Sequence, residues 1–164
     1  IFVLVNTYNI VKILLDRRTK LIPDEIRDLY EGIFNTLTTS EFLYFWNMGT
    51  IRSVTNDYFI HSGETQNNLL LVLSGQADVE VNNKPIAHLN RGAFIAEISF
   101  LTGEPASADV HANGEVIFIS WRSERLKNMR HDNPSFWMKL QHSLSEDLIK
   151  KIKPQAKRES QLND

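Results

Sequence analysis

Residues 92–110 read GAFIAEISFLTGEPASADV, and the fold turns on how this stretch is read. It scans as a loop, a short helical turn and a second loop, set between strands. One acidic residue, Glu97, sits near its start. A tight run of small residues, Pro105, Ala106, Ser107, Ala108 and Asp109, closes it. If the run continues as a strand, Ser107, Asp109 and His111 share one face, with Ala108, Val110 and Ala112 on the other. The first face is polar and carries a carboxylate. Pairing of His111 with Asp109 would neutralise it.

Working outward, residues 51–54, 58–61, 69–74, 77–81, 85–89, 93–95, 107–112 and 115–121 read as short strands. Ser62-Gly63, Ser74-Gly75, Asn82-Asn83 and Asn113-Gly114 punctuate them. Asn113-Gly114 is the sharpest signal for a two-residue hairpin, since both residues tolerate positive φ. Eight short strands at regular spacing predict a mainly β fold, an eight-stranded double-sheet roll of jelly-roll type.

Helical spacing flanks the roll on both sides. Residues 2–18 carry apolar positions at helical spacing. Pro23 opens a second helix with Asp24 and Glu25 in its first turn and Ile26, Leu29, Tyr30 and Ile33 on its apolar face. A third begins at Thr39 or Ser40, either of which can cap it, buries Phe42, Leu43, Phe45 and Trp46, and ends at Gly49. After the roll, Ser120 or Ser123 caps a helix through Met129. Pro134 then starts a last helix with a stripe of Phe136, Trp137, Leu140, Leu144, Leu148 and Ile152. That stripe could pack on its own domain, close over the roll, or form a homodimer seam. The expected layout is 1–38 as an N-terminal helical segment, 39–153 as the domain, and 154–164 as a polar tail.

The 164 residues suffice for one domain. A net charge of −2, with 42% hydrophobic and 23% charged residues, is ordinary for a soluble domain and speaks against a nucleic-acid surface. With no cysteine, disulfides and thiolate chemistry are excluded. The first residues, Ile1-Phe2-Val3-Leu4-Val5, lack a Met and read as an internal cut in a longer chain. They are too few to span a bilayer. They read either as a packed helix or as the tail of a span lying before Ile1, which would place a cytoplasmic domain on a membrane protein.

The 92–110 stretch resembles the phosphate-binding cassette of cyclic nucleotide-binding domains. Phe59-Ile60-His61-Ser62-Gly63-Glu64, Leu69 to Ser74-Gly75, and Trp121 with Leu126, Pro134 and Trp137 are similar to other signatures of that family. The resemblance covers roughly 40–153 and implies helices around a β-roll. It implies a candidate pocket of Ala96, Glu97, Ile98, Ser99, Ala106, Ser107 and Asp109. In the family, the glutamate accepts a hydrogen bond from the ribose 2′-hydroxyl and an arginine binds the cyclic phosphate. Here Glu97 matches the glutamate, while Ala106 stands at the arginine, Asp109 at a hydroxyl residue and Ala96 at a glycine. Glu97 then binds a ribose or simply ties the cassette loop. Arg91 is the nearest cation that could replace the missing anchor, or it is solvated.

The leading third resembles the Popeye family through Leu29-Tyr30-Glu31-Gly32-Ile33-Phe34-Asn35-Thr36-Leu37, with Ser40 and Phe42 after it. That family carries this domain behind membrane spans, but its binding motifs are absent here. The expected function is therefore a regulatory domain that does not bind cAMP or cGMP in the family manner and acts through protein contacts. The other reading is a sensor of a cyclic-nucleotide-like ligand that uses Glu97 and an unusual anion anchor. No enzyme is expected, and no cofactor. A metal enzyme of the cupin type needs paired histidines, whereas His61, His88 and His111 fall on separate strands. No DNA-binding helix-turn-helix follows the last helix.

Overall fold

The computed structural model describes the backbone of residues 22–162 and the side chains of residues 22–149. The helix expected over residues 2–18 lies outside them. Two helices come first, α1 (Asp24–Gly32) and α2 (Thr39–Met48). The strands follow: β1 (Thr50–Thr55), β2 (Tyr58–Ile60), β3 (Asn68–Val81), β4 (Lys84–Leu89), β5 (Phe94–Ile95) and β6 (Asp109–Arg122). A short helix, α3 (Glu97–Thr102), separates β5 from β6, and α4 (Ser123–Asp132) and α5 (Pro134–Leu162) end the chain. This is an antiparallel β fold with flanking helices.

The sheet runs β1-β6-β3-β4, with β2 also on β6 and β5 also on β3. Six strands replace the eight expected, because two pairs of runs are continuous. Residues 69–74 and 77–81 join as β3, and 107–112 and 115–121 join as β6, which starts at Asp109 rather than Ser107. Neither Ser74-Gly75 nor Asn113-Gly114 is a turn. They lie near each other where β3 and β6 shift register, between Ser74↔Ile117 and Gln76↔Asn113. Gly75 has φ +86, and a Cβ there would lie 2.2 Å from the Glu115 carbonyl oxygen. The extra residue changes which side chains of β3 point into the roll: Leu70 and Val72 before Gly75, Ala77 and Val79 after it. The two-residue hairpin forms instead at Asn82 and Asn83, with φ of 53° and 61°, between Val81 and Lys84.

The two faces of the bent sheet feed two apolar clusters. Ile60, Leu70, Val72, Ala77, Leu89, Ile95, Val110, Ala112, Val116 and Phe118 fill the roll. Leu69, Leu71, Phe94, Ile119 and Trp121 pack under the helices. There the Phe45 ring stacks on Trp121 at 4.3 Å and 9°, and the Trp121 indole N–H donates to the Phe45 carbonyl at 2.8 Å. Each such aromatic pair contributes about 0.5–1.5 kcal/mol beyond its buried area. Gly49 ends α2 without a left-handed residue. It is needed for close approach, since a Cβ would lie 2.5 Å from Ile119 and 2.9 Å from the Trp121 nitrogen.

The cap of α2 is Thr38, not Thr39 or Ser40. Its hydroxyl accepts from the Glu41 N–H at 3.2 Å, and the Glu41 carboxylate accepts from the Thr38 N–H at 2.8 Å, a reciprocal capping box. Glu41 also meets Lys139 at 2.9 Å, which fastens α2 to α5. α4 begins at Ser123 with Arg122 before it and no side-chain cap. α5 continues past Pro154 to Leu162, through the stretch read as a polar tail. Phe136, Leu140 and Leu144 of its stripe are buried in the domain's own core, while Trp137 and Leu148 are half-buried. The Ile152 side chain lies outside the described ones. The run from Leu29 to Leu37 closes α1 and buries Leu29, Phe34 and Leu37. No helix among the described residues is long and apolar enough to cross a membrane.

Candidate functional site

The cassette is entered through β5, whose two residues are buried and pair with Leu70 and Leu71 of β3. Ala96 follows in the left-handed region, φ 51° and ψ 36°, where glycine is at ease and alanine is strained. This is the position at which the family pattern has glycine. α3 then runs six residues and closes on Gly103, φ +75°, whose N–H donates to the Ser99 carbonyl at 2.8 Å. Thr102 donates back to the Ile98 carbonyl at 2.8 Å and accepts from the Glu104 N–H at 3.1 Å.

Both limbs of the cassette are tied to the β2–β3 connection. The buried Ser99 hydroxyl accepts from the Gln66 N–H at 2.9 Å. On the other limb, the Gly63 N–H donates to the Ala106 carbonyl and the Ala106 N–H donates to the Glu64 carbonyl, each at 2.8 Å. The Asp109 carboxylate accepts from the Ser62 N–H at 2.6 Å. The structure thus brings all seven predicted pocket residues into one strapped loop. Glu97 and Ser99 are buried, at 4% and 3% exposure, and Glu97 holds an interaction within the protein. Ile98 and Ser107 are exposed, and Ala96, Ala106 and Asp109 are half-buried.

Of three expectations about this site, the first holds and two fail. First, Asp109 and His111 share a face opposite Val110 and Ala112, which point into the apolar roll interior. The carboxylate therefore ties the cassette limb to the turn at Ser62. Second, the histidine beside Asp109 is His61, at 3.8 Å, not His111. His111 packs edge-on against Tyr58 at 4.8 Å, and His61 lies 4.3 Å from the same ring. Two of the three histidines are thus gathered round one tyrosine, although no group of metal-ligating side chains occurs among the described residues. Third, Arg91, although partly exposed, is not free to hold an anion. Its guanidinium donates to both Asp28 oxygens, at 2.7 and 2.8 Å, to the Leu73 carbonyl at 2.8 Å and to the Glu25 carbonyl. The guanidinium holds the Asp28 carboxyl below its usual value, chiefly through that side-chain hydrogen bond, and Asp28 raises Arg91 in turn. This joint seats α1 against the Asn90-Arg91-Gly92 corner that leads into the cassette.

A further polar group was not foreseen. Asp78 accepts from Gln76 at 2.9 Å and from Asn113 at 3.1 Å, and pairs with His88 at 2.7 Å. Burial works to raise its pKa, but these donors together hold it below the usual value. The only sequence signal was alternation: Gln76, Asp78 and His88 are polar residues on runs whose other face is apolar.

The profile of the cyclic nucleotide-binding domain family matches residues 50–133, half of the chain. No curated protein matches. Among solved structures, a cyclic nucleotide-binding domain from Methylobacillus flagellatus KT is similar, with a TM-score of 0.70 and 22% identity over 81% of this chain and 83% of that one. A putative cyclic nucleotide-binding protein from Geobacter metallireducens GS-15 has a TM-score of 0.67 and 15% identity over 80% of this chain and 99% of that one. The regulatory subunit of a cAMP-independent protein kinase A from Trypanosoma brucei has a TM-score of 0.58 and 22% identity over 77% of this chain and 44% of that one. At these identities the neighbours speak for the fold. Together with the profile, they show that the chain belongs to the cyclic nucleotide-binding domain family.

Proposed function

We propose that this regulatory domain does not hold cAMP or cGMP in the family manner and instead acts through protein contacts. The observation that carries this reading is the chemistry at Ala106. Where the family pattern has an arginine, a methyl group stands, and its backbone is engaged with Gly63 and Glu64. A charge-assisted hydrogen bond to a phosphate has no donor there. The candidate replacement, Arg91, is held by Asp28 and two carbonyls. A neighbour described as the regulatory subunit of a cAMP-independent kinase supports the idea that this fold can regulate without cAMP.

The other reading keeps a cyclic-nucleotide-like ligand on Glu97, and the same experiment separates the two. Thermal unfolding is followed in titrations with cAMP, cGMP and cyclic dinucleotides. A ligand at a hundred times its dissociation constant adds about 2.7 kcal/mol. For a domain of this size, that raises Tm by roughly 5–10 °C. A flat response from folded protein is expected. A rise of that size with any of these nucleotides overturns the proposal and makes Glu97 a ribose ligand.

A further inference from the structure

Four strands, β1, β2, β4 and β5, have a single partner in the sheet, and three of them are closed to further pairing. β5 is two residues long. β2 is three, with a register shift between Tyr58 and Ile60. β4 carries Lys84 and Pro85 and shifts register opposite Val79 and Glu80. Short length, lysine, proline and bulges are the usual protections of an edge. β1 has none of them. It runs Thr50-Ile51-Arg52-Ser53-Val54-Thr55 in unbroken register with β6, from Thr50↔Ser120 to Thr55↔Glu115. Among the described residues, no other strand pairs with it. All of it except Val54 is exposed, Ile51 at 58%. Thr50, Ile51, Val54 and Thr55 are β-branched and suit a strand, so the outer row of N–H and C=O groups is a template for one more strand.

We propose that the free edge of β1 pairs antiparallel with β1 of a second copy of this chain, joining two rolls through one continuous sheet. The occupant follows from the strand's own sequence. A two-fold axis perpendicular to the sheet sets one residue opposite itself and pairs its neighbours crosswise. Centred on Arg52, it pairs residues 50–54 and sets two guanidinium groups face to face, which is destabilising. Centred on Ser53, it pairs residues 51–55 without that conflict: Ser53 meets the partner's Ser53, Arg52 the partner's Val54, and Ile51 the partner's Thr55. Centres nearer either end of the strand pair fewer residues. The faces agree as well. Val54 lies opposite Val116 and packs on the roll cluster, so Arg52 shares its face, while Ile51, Ser53 and Thr55 share the other. The Arg52 stem then covers the partner's Val54, and each exposed Ile51 gains a β-branched neighbour. This surface is separate from the cassette and does not depend on whether the nucleotide pocket binds. It is also separate from the α5 stripe, whose Phe136, Leu140 and Leu144 are buried in their own core.

The test exploits the lack of cysteine in the chain. Facing residues of an antiparallel pair have Cα atoms about 4.5–5.5 Å apart, within reach of a disulfide. Ser53→Cys should therefore form a covalent dimer in a glutathione redox buffer. Ile51→Cys and Thr55→Cys should each stay unlinked alone, since each lies about 13 Å along the strand from its own copy, but a mixture of the two should cross-link. Sedimentation equilibrium of the unsubstituted full chain should show a mass that doubles as concentration rises. Ser53→Lys sets two exposed ammonium groups opposite each other, keeps the fold, and should weaken dimerisation about tenfold or more. Monomer at every concentration overturns the proposal and leaves the edge to an extended segment of another protein. It is overturned equally if Ile51→Cys or Thr55→Cys links to itself as readily as Ser53→Cys, if their mixture does not cross-link, or if Ser53→Lys dimerises as tightly as the parent.

Discussion

Arg91 and Ala106 flank the cassette helix in sequence, and their surroundings differ in kind. At Arg91 a guanidinium is fully used: a bidentate pair to Asp28 and bonds to two carbonyls join α1 to the roll. At Ala106 the side chain offers nothing polar and packs on the roll cluster, and the backbone alone makes the hydrogen bonds. Near the cassette, then, this chain uses an arginine to hold its own helix rather than an anion. The difference teaches that a cation close in sequence to a vacated anchor is no substitute for it when a carboxylate of the same protein already holds it.

The largest effect should come from reversing the difference. Ala106→Arg restores the family's donor and should produce cAMP or cGMP binding that the parent lacks, a gain of about 3 kcal/mol or roughly a hundredfold in affinity. Asp109 should be kept, since its carboxylate bonds the Ser62 N–H. The added change Asp109→Thr should weaken the loop rather than improve binding. If Ala106→Arg folds and stays inert in calorimetry, the pocket differs in shape as well as in charge.

Next, Arg91→Ala should lower unfolding stability by about 1–2 kcal/mol, because it removes hydrogen bonds to two carbonyls along with a partly exposed ion pair. Urea melts would show this as a lower midpoint. Hydrogen exchange should rise first in α1, and an unchanged α1 would refute the joint.

A smaller effect of opposite sign is expected within the cassette. Ala96→Gly relieves a left-handed alanine and should stabilise by about 0.5–1 kcal/mol, offset in part by the freer unfolded chain. A loss of stability in thermal melts would mean that the Ala96 methyl, which packs against the roll cluster, outweighs the strain.

The smallest effect isolates the pair itself. A double-mutant cycle of Arg91→Ala and Asp28→Ala should give a coupling of about 0.5 kcal/mol, as for other exposed ion pairs. The Asp28 carboxyl titrates below its ordinary 3.8 in the folded protein. Its contribution is therefore complete above that pH and is lost as the pH falls through the lower folded value. Coupling that persists in strong acid would contradict this assignment.

Much of the molecule was legible in the chain. The change from helical to alternating period placed the helices around the roll, and the residues of the cassette were found together because they are adjacent in sequence. What was misread follows a pattern. Gly75 and Gly114 carry the positive φ of turn residues, but here they serve a bend in strands that continue. A local signal reports the φ that a residue tolerates, not whether the next strand lies behind it or ahead. Asp28 and Arg91 are 63 positions apart, and Glu41 and Lys139 are 98 apart, so no periodicity links either pair.

The sequence by itself determined the order of elements, the apolar faces that drive them together, and the absence of an arginine at position 106, because these are properties of neighbouring residues and their spacing. Only the tertiary structure decided that Arg91 is tied to α1 and that Asp109 turns toward Ser62 and His61. Those outcomes depend on sheet register and helix packing, which bring together residues far apart in the chain.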